Sequence, residues 1–153
     1  MTITKQIIDS LHYSELREVR FFSITNSLIK TFDFISFDPN FEIVIENCII
    51  QDLLIHSCWF KRGLLFKNNQ VINPIDFQMG GHNDKSIRFI GNVFCGFVNF
   101  FDCAFKAQVE LRNNIFVDDT NLLGNINEGF HNTFEEEPII YNNVGNISVD
   151  RLN

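Results

Sequence analysis

A short apolar-x-apolar unit recurs through most of the chain at close to eleven residues, and no other feature limits the possible folds so strongly. Ten units can be aligned: EVRF from Glu18, TFDF from Thr31, EIVI from Glu42, DLLI from Asp52, GLLF from Gly63, PIDF from Pro74, SIRF from Ser86, FVNF from Phe97, QVEL from Gln108 and TNLL from Thr120. An eleventh, PIIY from Pro138, follows an insertion. Three residues beyond the second apolar position stands a small or amide residue, namely Cys48, Cys58, Asn69, Asn92, Cys103 or Asn114. Two residues further stands another apolar one: Ile50, Phe60, Val71, Phe94, Phe105 or Phe116. Internal repetition at this period is the signature of a stacked architecture.

The spacing of the large residues excludes a helix and a plain strand alike. Phe100, Phe105, Leu111 and Phe116 step by five, six and five. In extended chain alternate side chains share a face, so each unit points two residues inward before the pattern breaks and restarts. Short strands separated by corners produce that signature. One unit is too short to encircle several phenylalanine rings, whereas two units of about 22 residues close one coil. Coils stacked at roughly 4.8 Å satisfy one another's backbone hydrogen bonds. Alternate units then form columns: Ile45, Phe66, Phe89 and Leu111; Ile55, Phe77, Phe100 and Leu123; Ile50, Val71, Phe94 and Phe116. Burying each large side chain contributes roughly 1.5–3 kcal/mol. Asn69, Asn92 and Asn114 make a further column able to form an amide ladder.

The units FVNFFDCAFKA and QVELRNNIFVD resemble those of pentapeptide-repeat proteins, especially the Phe-rich variety with alternating five- and six-residue steps. The resemblance covers roughly residues 18–124 and implies an all-β, right-handed parallel β-helix. Asn at many of the small sites, and Val, Ile or Leu at others, depart from that family's pattern. The expected fold is therefore a solenoid of about five coils over 18–124, with an N-terminal cap over 1–17 and an acidic C-terminal cap over 125–153. Ile3, Ile7, Ile8 and Leu11 recur at helical intervals and predict a short N-terminal capping helix.

Charge is unevenly distributed. The formal charge is −7; from Val117 onward seven acids face only Arg151, while the preceding chain is nearly balanced. Nothing basic is concentrated along the sequence, which argues against direct nucleic-acid binding. No apolar run reaches the roughly 18 residues of a membrane span or the length of a signal peptide, so a cytoplasmic protein with no membrane association is expected. Cys48, Cys58, Cys95 and Cys103 form no C-x-x-C pair and are expected as reduced, mostly buried thiols, with Cys95 the most exposed.

Candidate chemistry is sparse. His56 and Cys58 are close in sequence, but Cys58 should point inward, and no set of about four converging metal ligands assembles. Neither a catalytic pair nor a cofactor motif emerges. The outward positions of the first full coils are apolar, at Val44, Ile49, Leu54, Trp59 and Leu65. They should be covered by the N-terminal segment, or else form a partner or homodimer surface. Gly80, Gly81 and His82 interrupt the repeat and predict a bulge or loop projecting from the wall. The acidic residues Glu135, Glu136 and Glu137 form a third candidate contact.

These features predict a non-enzymatic module that binds a protein partner, of the immunity-type or regulatory-inhibitor kind. The pentapeptide-repeat resemblance implies one alternative, an acidic rod that imitates DNA and inhibits a type II topoisomerase. A small β-helix enzyme acting on a polysaccharide is the other.

Overall fold

The computed structural model describes residues 1–16, 18–127 and 129–151. Glu128, counted above with the acidic segment, lies outside them, as do Arg17, Leu152 and Asn153. The chain is all-β, with parallel strand pairing and, among the described residues, a single short 3-10 turn at Tyr13–Leu16. It winds into a β-solenoid whose repeat region makes about five turns, with four walls around one apolar axis.

The first wall stacks seven strands: Thr2–Thr4, Phe22–Thr25, Ile43–Glu46, Leu64–Lys67, Ile87–Ile90, Val109–Arg112 and Ile139–Tyr141. The second stacks Ile7–His12, Leu28–Asp33, Ile49–Leu54, Gln70–Val71, Val93–Phe94 and Ile115–Phe116. Ile75–Asp76 and Val98–Asn99 form the third wall, and Ala104–Phe105 and Thr133–Phe134 the fourth. In the earlier coils the second-wall strands run on toward the third: Ile49–Leu54 alternates out and in until Gln51 and Asp52 both face outward, then buries Leu53. That phase break is a corner.

The core columns expected from the repeat are in register. Ile45 lies beside Phe66, Phe66 beside Phe89 and Phe89 beside Leu111. Ile50, Val71, Phe94 and Phe116 form a second column; the Phe94 and Phe116 rings stack at 5.0 Å between centroids, 15° apart. One column differs by a residue. Val98 bridges Thr120, which puts Leu122 rather than Leu123 beyond Phe100; Leu122 is fully buried, Leu123 only partly. The first unit differs in phase. Phe22 and Ile24, not Val19 and Phe21, pair with Ile43 and Ile45, and Phe21 is exposed. This explains why the first interval in the sequence was the longest.

A ladder of amides runs inside the corner between the first and second walls. There the turning backbone leaves an N–H and a carbonyl per coil without strand partners, and buried polar groups need them. Asn69 Oδ1 accepts from the Cys48 backbone N–H at 2.9 Å, Asn92 Oδ1 from Asn69 at 2.9 Å, Asn114 Oδ1 from Asn92 at 3.0 Å and Asn143 Oδ1 from Asn114 at 2.9 Å. Their Nδ2 groups donate to the carbonyls of Ile45, Phe66, Phe89 and Leu111. The amides also bond one another, Asn92 Nδ2 to Asn114 Oδ1 at 3.0 Å for example. The residue before each rung has a positive φ, at Lys5, Asn26, Asn47, Asn68, Gly91, Asn113 and Asn142. The abundance of Asn and the single Gly follow from that, since both enter this region at low cost.

The N-terminal helix is not formed. Residues 2–12 are two strands that build the first coil, Thr2–Thr4 beside Phe22–Thr25 and Ile7–His12 beside Leu28–Asp33. Leu11 is buried and Ile3 and Ile8 pack against the core, whereas Ile7 is 83% exposed. Inward residues on successive walls, separated by the left-handed corner at Lys5, mimic helical spacing. The C-terminal segment also continues the winding. Thr133–Phe134 and Ile139–Tyr141 add rungs to the fourth and first walls after a 29-residue turn.

Candidate functional site

Outward residues of one coil point in several directions, because the corners turn the chain every few residues. Ile49 faces out from the second wall, in the column Ile7, Leu28, Ile49, Gln70, Val93 and Ile115. Leu54 lies beyond the Gln51–Asp52 corner beside Asp33. Val44 and Leu65 are on the first wall. The outward apolar residues therefore form no single cluster, and the N-terminal segment, being a coil itself, does not lie over them: Ile49 remains 47% and Leu54 38% exposed.

Trp59 has different company. At the corner between the third and fourth walls, Ser36, Ser57, Met79 and Asp102 occupy equivalent positions in four successive coils, all with φ between 53° and 55°. The Ser57 N–H donates to the Gln78 carbonyl, and that of Met79 to the Phe101 carbonyl, so this column is held rung by rung. Ser36, Ser57, Met79 and Asp102, together with Asp38, Trp59, His82 and Ala104, border an open groove of about 540 Å³.

The predicted Gly80–His82 loop does not project. Gly80 and Gly81 are buried in the wall. Gly81 bridges Ala104, and the Ala104 N–H donates to the Gly80 carbonyl at 3.1 Å. Gly81 has φ +90°, and a Cβ there would fall 2.5 Å from the Ala104 carbonyl oxygen. Only glycine permits this approach, and the bare backbone leaves room in front of the wall. One consequence is that His82 is swung against Trp59, with ring centroids 4.4 Å apart at 44°. The indole Nε1–H donates to the Met79 carbonyl at 3.3 Å. Lys61 Nζ lies 5.2 Å from the indole centroid and 2.6 Å from Asp38 Oδ2. Trp59 is thus fixed on one side and 37% exposed on the other. Burial holds the His82 pKa below its ordinary value; Lys106 and Lys61 act in the same direction, and Asp102 opposes them.

Glu135, Glu136 and Glu137 are exposed and follow the fourth-wall strand Thr133–Phe134, one rung beyond Ala104–Phe105. The structure therefore brings Trp59, Gly80, Gly81 and His82 together at the fourth wall, puts the acidic patch past that wall toward the first, and leaves Ile49 and Leu54 elsewhere. Sequence reasoning missed the left-handed column Ser36, Ser57, Met79 and Asp102; its 21- to 23-residue spacing was visible, but its chemical variety hid it.

The other candidate chemistry is dispersed. Cys58 and Cys103 are buried, with burial as the main cause of strongly raised thiol pKa values; burial also raises that of Cys48. Cys95 is half-buried on the second wall, 3.7 Å from Gln70 Nε2. His56 Nδ1 lies 3.1 Å from Asp76 Oδ2 on the third wall, away from any accessible thiol. Among the described residues no three His, Cys, Asp or Glu side chains gather as metal ligands, and no helix is long and apolar enough to cross a membrane. The chain matches no family model, no curated protein and no solved structure.

Proposed function

We propose that this protein is a non-enzymatic β-solenoid, related to pentapeptide-repeat proteins, that binds another protein through the Trp59 groove. The carrying observation is the pre-set aromatic anchor: an indole locked by Met79 and His82, half-exposed above a backbone floor at Gly81 and Ala104. Fixed aromatic residues in concave surroundings are enriched at binding hot spots, and a side chain that is already ordered loses little entropy on binding. The rim carboxylates Asp38 and Asp102 favour a partner segment with a basic residue next to an apolar one. Lys61 already shows that a cation is accommodated over this ring while paired to Asp38. An inhibitory or immunity-type role is consistent with such a surface. Like residues stacked in columns through four coils support the family relationship.

DNA imitation draws less support, because acids on the first wall are interleaved with bases. Lys67 pairs with Glu46, Arg88 with Glu42 and Arg112 with Glu110.

The test is selection from a displayed peptide library against the full chain. Peptides joining Arg or Lys to an apolar residue should be enriched with micromolar affinity, and Trp59→Ala should weaken them by about tenfold or more. Failure to enrich any sequence, or equal binding by the Trp59→Ala protein, refutes the assignment.

A further inference from the structure

A second concavity lies where the fourth wall turns into the first, away from the Trp59 groove. The register sets Phe22, Ile43, Leu64 and Ile87 side by side. The residues just ahead of them in four successive coils therefore stack at one corner. Arg20, Arg62, Lys85 and Arg88 all line the resulting open cleft of about 570 Å³. These are four of the chain's 12 lysines and arginines, gathered from positions too far apart in sequence to register as a basic cluster.

The cleft has the features of an oxyanion site. Among the described residues Glu42 is the only carboxylate that lines it. Glu42 Oε1 accepts from Arg88 Nη2 at 3.3 Å, which anchors that guanidinium. Arg88 Nε is buried and has no hydrogen-bond acceptor among the described residues; a buried donor of this kind calls for one. Arg20, Arg62 and Lys85 are exposed and take part in none of the ion pairs among the described residues. Gly63 lies between the Glu42 and Ser86 rungs with a φ of +96°, and a Cβ there would fall 2.9 Å from the Ser86 carbonyl oxygen. Arg62 and Lys85 stand on adjacent rungs, roughly 4.8 Å apart; like charges repel one another, and a multivalent anion relieves that repulsion. Phe21, 46% exposed, presents a ring at the edge of the same cleft.

We propose that this cleft binds a small phosphorylated molecule, with its phosphates held by Arg20, Arg62 and Lys85 beside Arg88, and with a planar ring against Phe21. Guanidinium and ammonium groups make charge-assisted hydrogen bonds to phosphate oxygens, and an aromatic face stacks on a nucleobase-like ring.

Isothermal titration of the full chain at low salt tests this with pyrophosphate, inorganic triphosphate and metal-free ATP. Saturable one-to-one binding at about millimolar or tighter is expected. The double variant Arg62→Gln, Lys85→Gln should weaken all three ligands by about tenfold or more, with its circular dichroism unchanged. Lys30→Gln, on the exposed second wall, should leave them unaffected. ATP should bind more tightly than triphosphate, and Phe21→Ala should erase that margin only. Absence of saturable binding, or an equal loss with Lys30→Gln, overturns the site. ATP binding no tighter than triphosphate overturns the role of Phe21.

Discussion

Each asparagine of the inner corner does the work of a missing piece of backbone. Asn92 is fully buried, yet its amide accepts from the Asn69 N–H and donates to the Phe66 carbonyl at 2.8 Å. An apolar residue of similar size would fill the space and abandon both groups in the core. Asn92→Leu is therefore expected to cost about 2–6 kcal/mol, the sum of two buried unsatisfied groups, read as a lower urea midpoint with an unchanged slope. A loss under about 0.5 kcal/mol, typical of surface changes, would falsify the ladder's structural role. Cys48 holds the same place two coils before Asn92, and its Sγ lies 3.3 Å from the Glu46 carbonyl. A thiol is the weaker donor. This column was legible as a small-or-amide position in the repeat; that its amides bond mainly to backbone was not, because the partners sit in the neighbouring coil.

At the level of the element, the fourth-wall corner couples a local irregularity to a surface. The two extra residues in the coil that contains Gly80, Gly81 and His82 make its turn 23 residues long instead of 21, and they place His82 against Trp59. Because burial, with Lys106 and Lys61, depresses the native His82 pKa below 6.5, the unfolded chain takes up this proton first as pH falls. The group's full contribution to stability is thus present above pH 6.5 and declines from there toward its lower native value. Between about pH 7.5 and about pH 5.5, the melting temperature of the native protein should fall further than that of His82→Gln. Equal falls would show that His82 is as solvated in the folded protein as in the unfolded chain. The interruption at Gly80 was evident in the sequence, but not its direction. A glycine permits both a projecting loop and a close approach, and only the neighbouring coil at Ala104 selects between them.

On the scale of the molecule, a solenoid is held together by nearest-neighbour coils, so its ends are its weakest parts. Thr2–Thr4 and Ile7–His12 have strand partners on one side only. Central strands such as Ile43–Glu46, Leu64–Lys67 and Ile87–Ile90 have them on both. Hydrogen exchange should therefore be fastest in residues 2–12 and slowest in the central rungs of the first wall. If the terminal strands exchange as slowly as the central ones, another chain covers that edge in solution.

The alternation of inward residues and the near-constant step of 21 to 23 residues were enough to determine a β-solenoid and its interior columns. An inward side chain meets the same position of the next coil wherever the corners fall, so Ile45, Phe66, Phe89 and Leu111 line up without further information. Outward neighbours obey no such rule. They depend on which wall each residue faces, and a corner shifted by one residue sends it elsewhere. That is why the apolar residues of one coil, alike in sequence, are dispersed over several walls. It is also why the tertiary structure alone brought Trp59 to His82, and Arg20 to Arg62, Lys85 and Arg88.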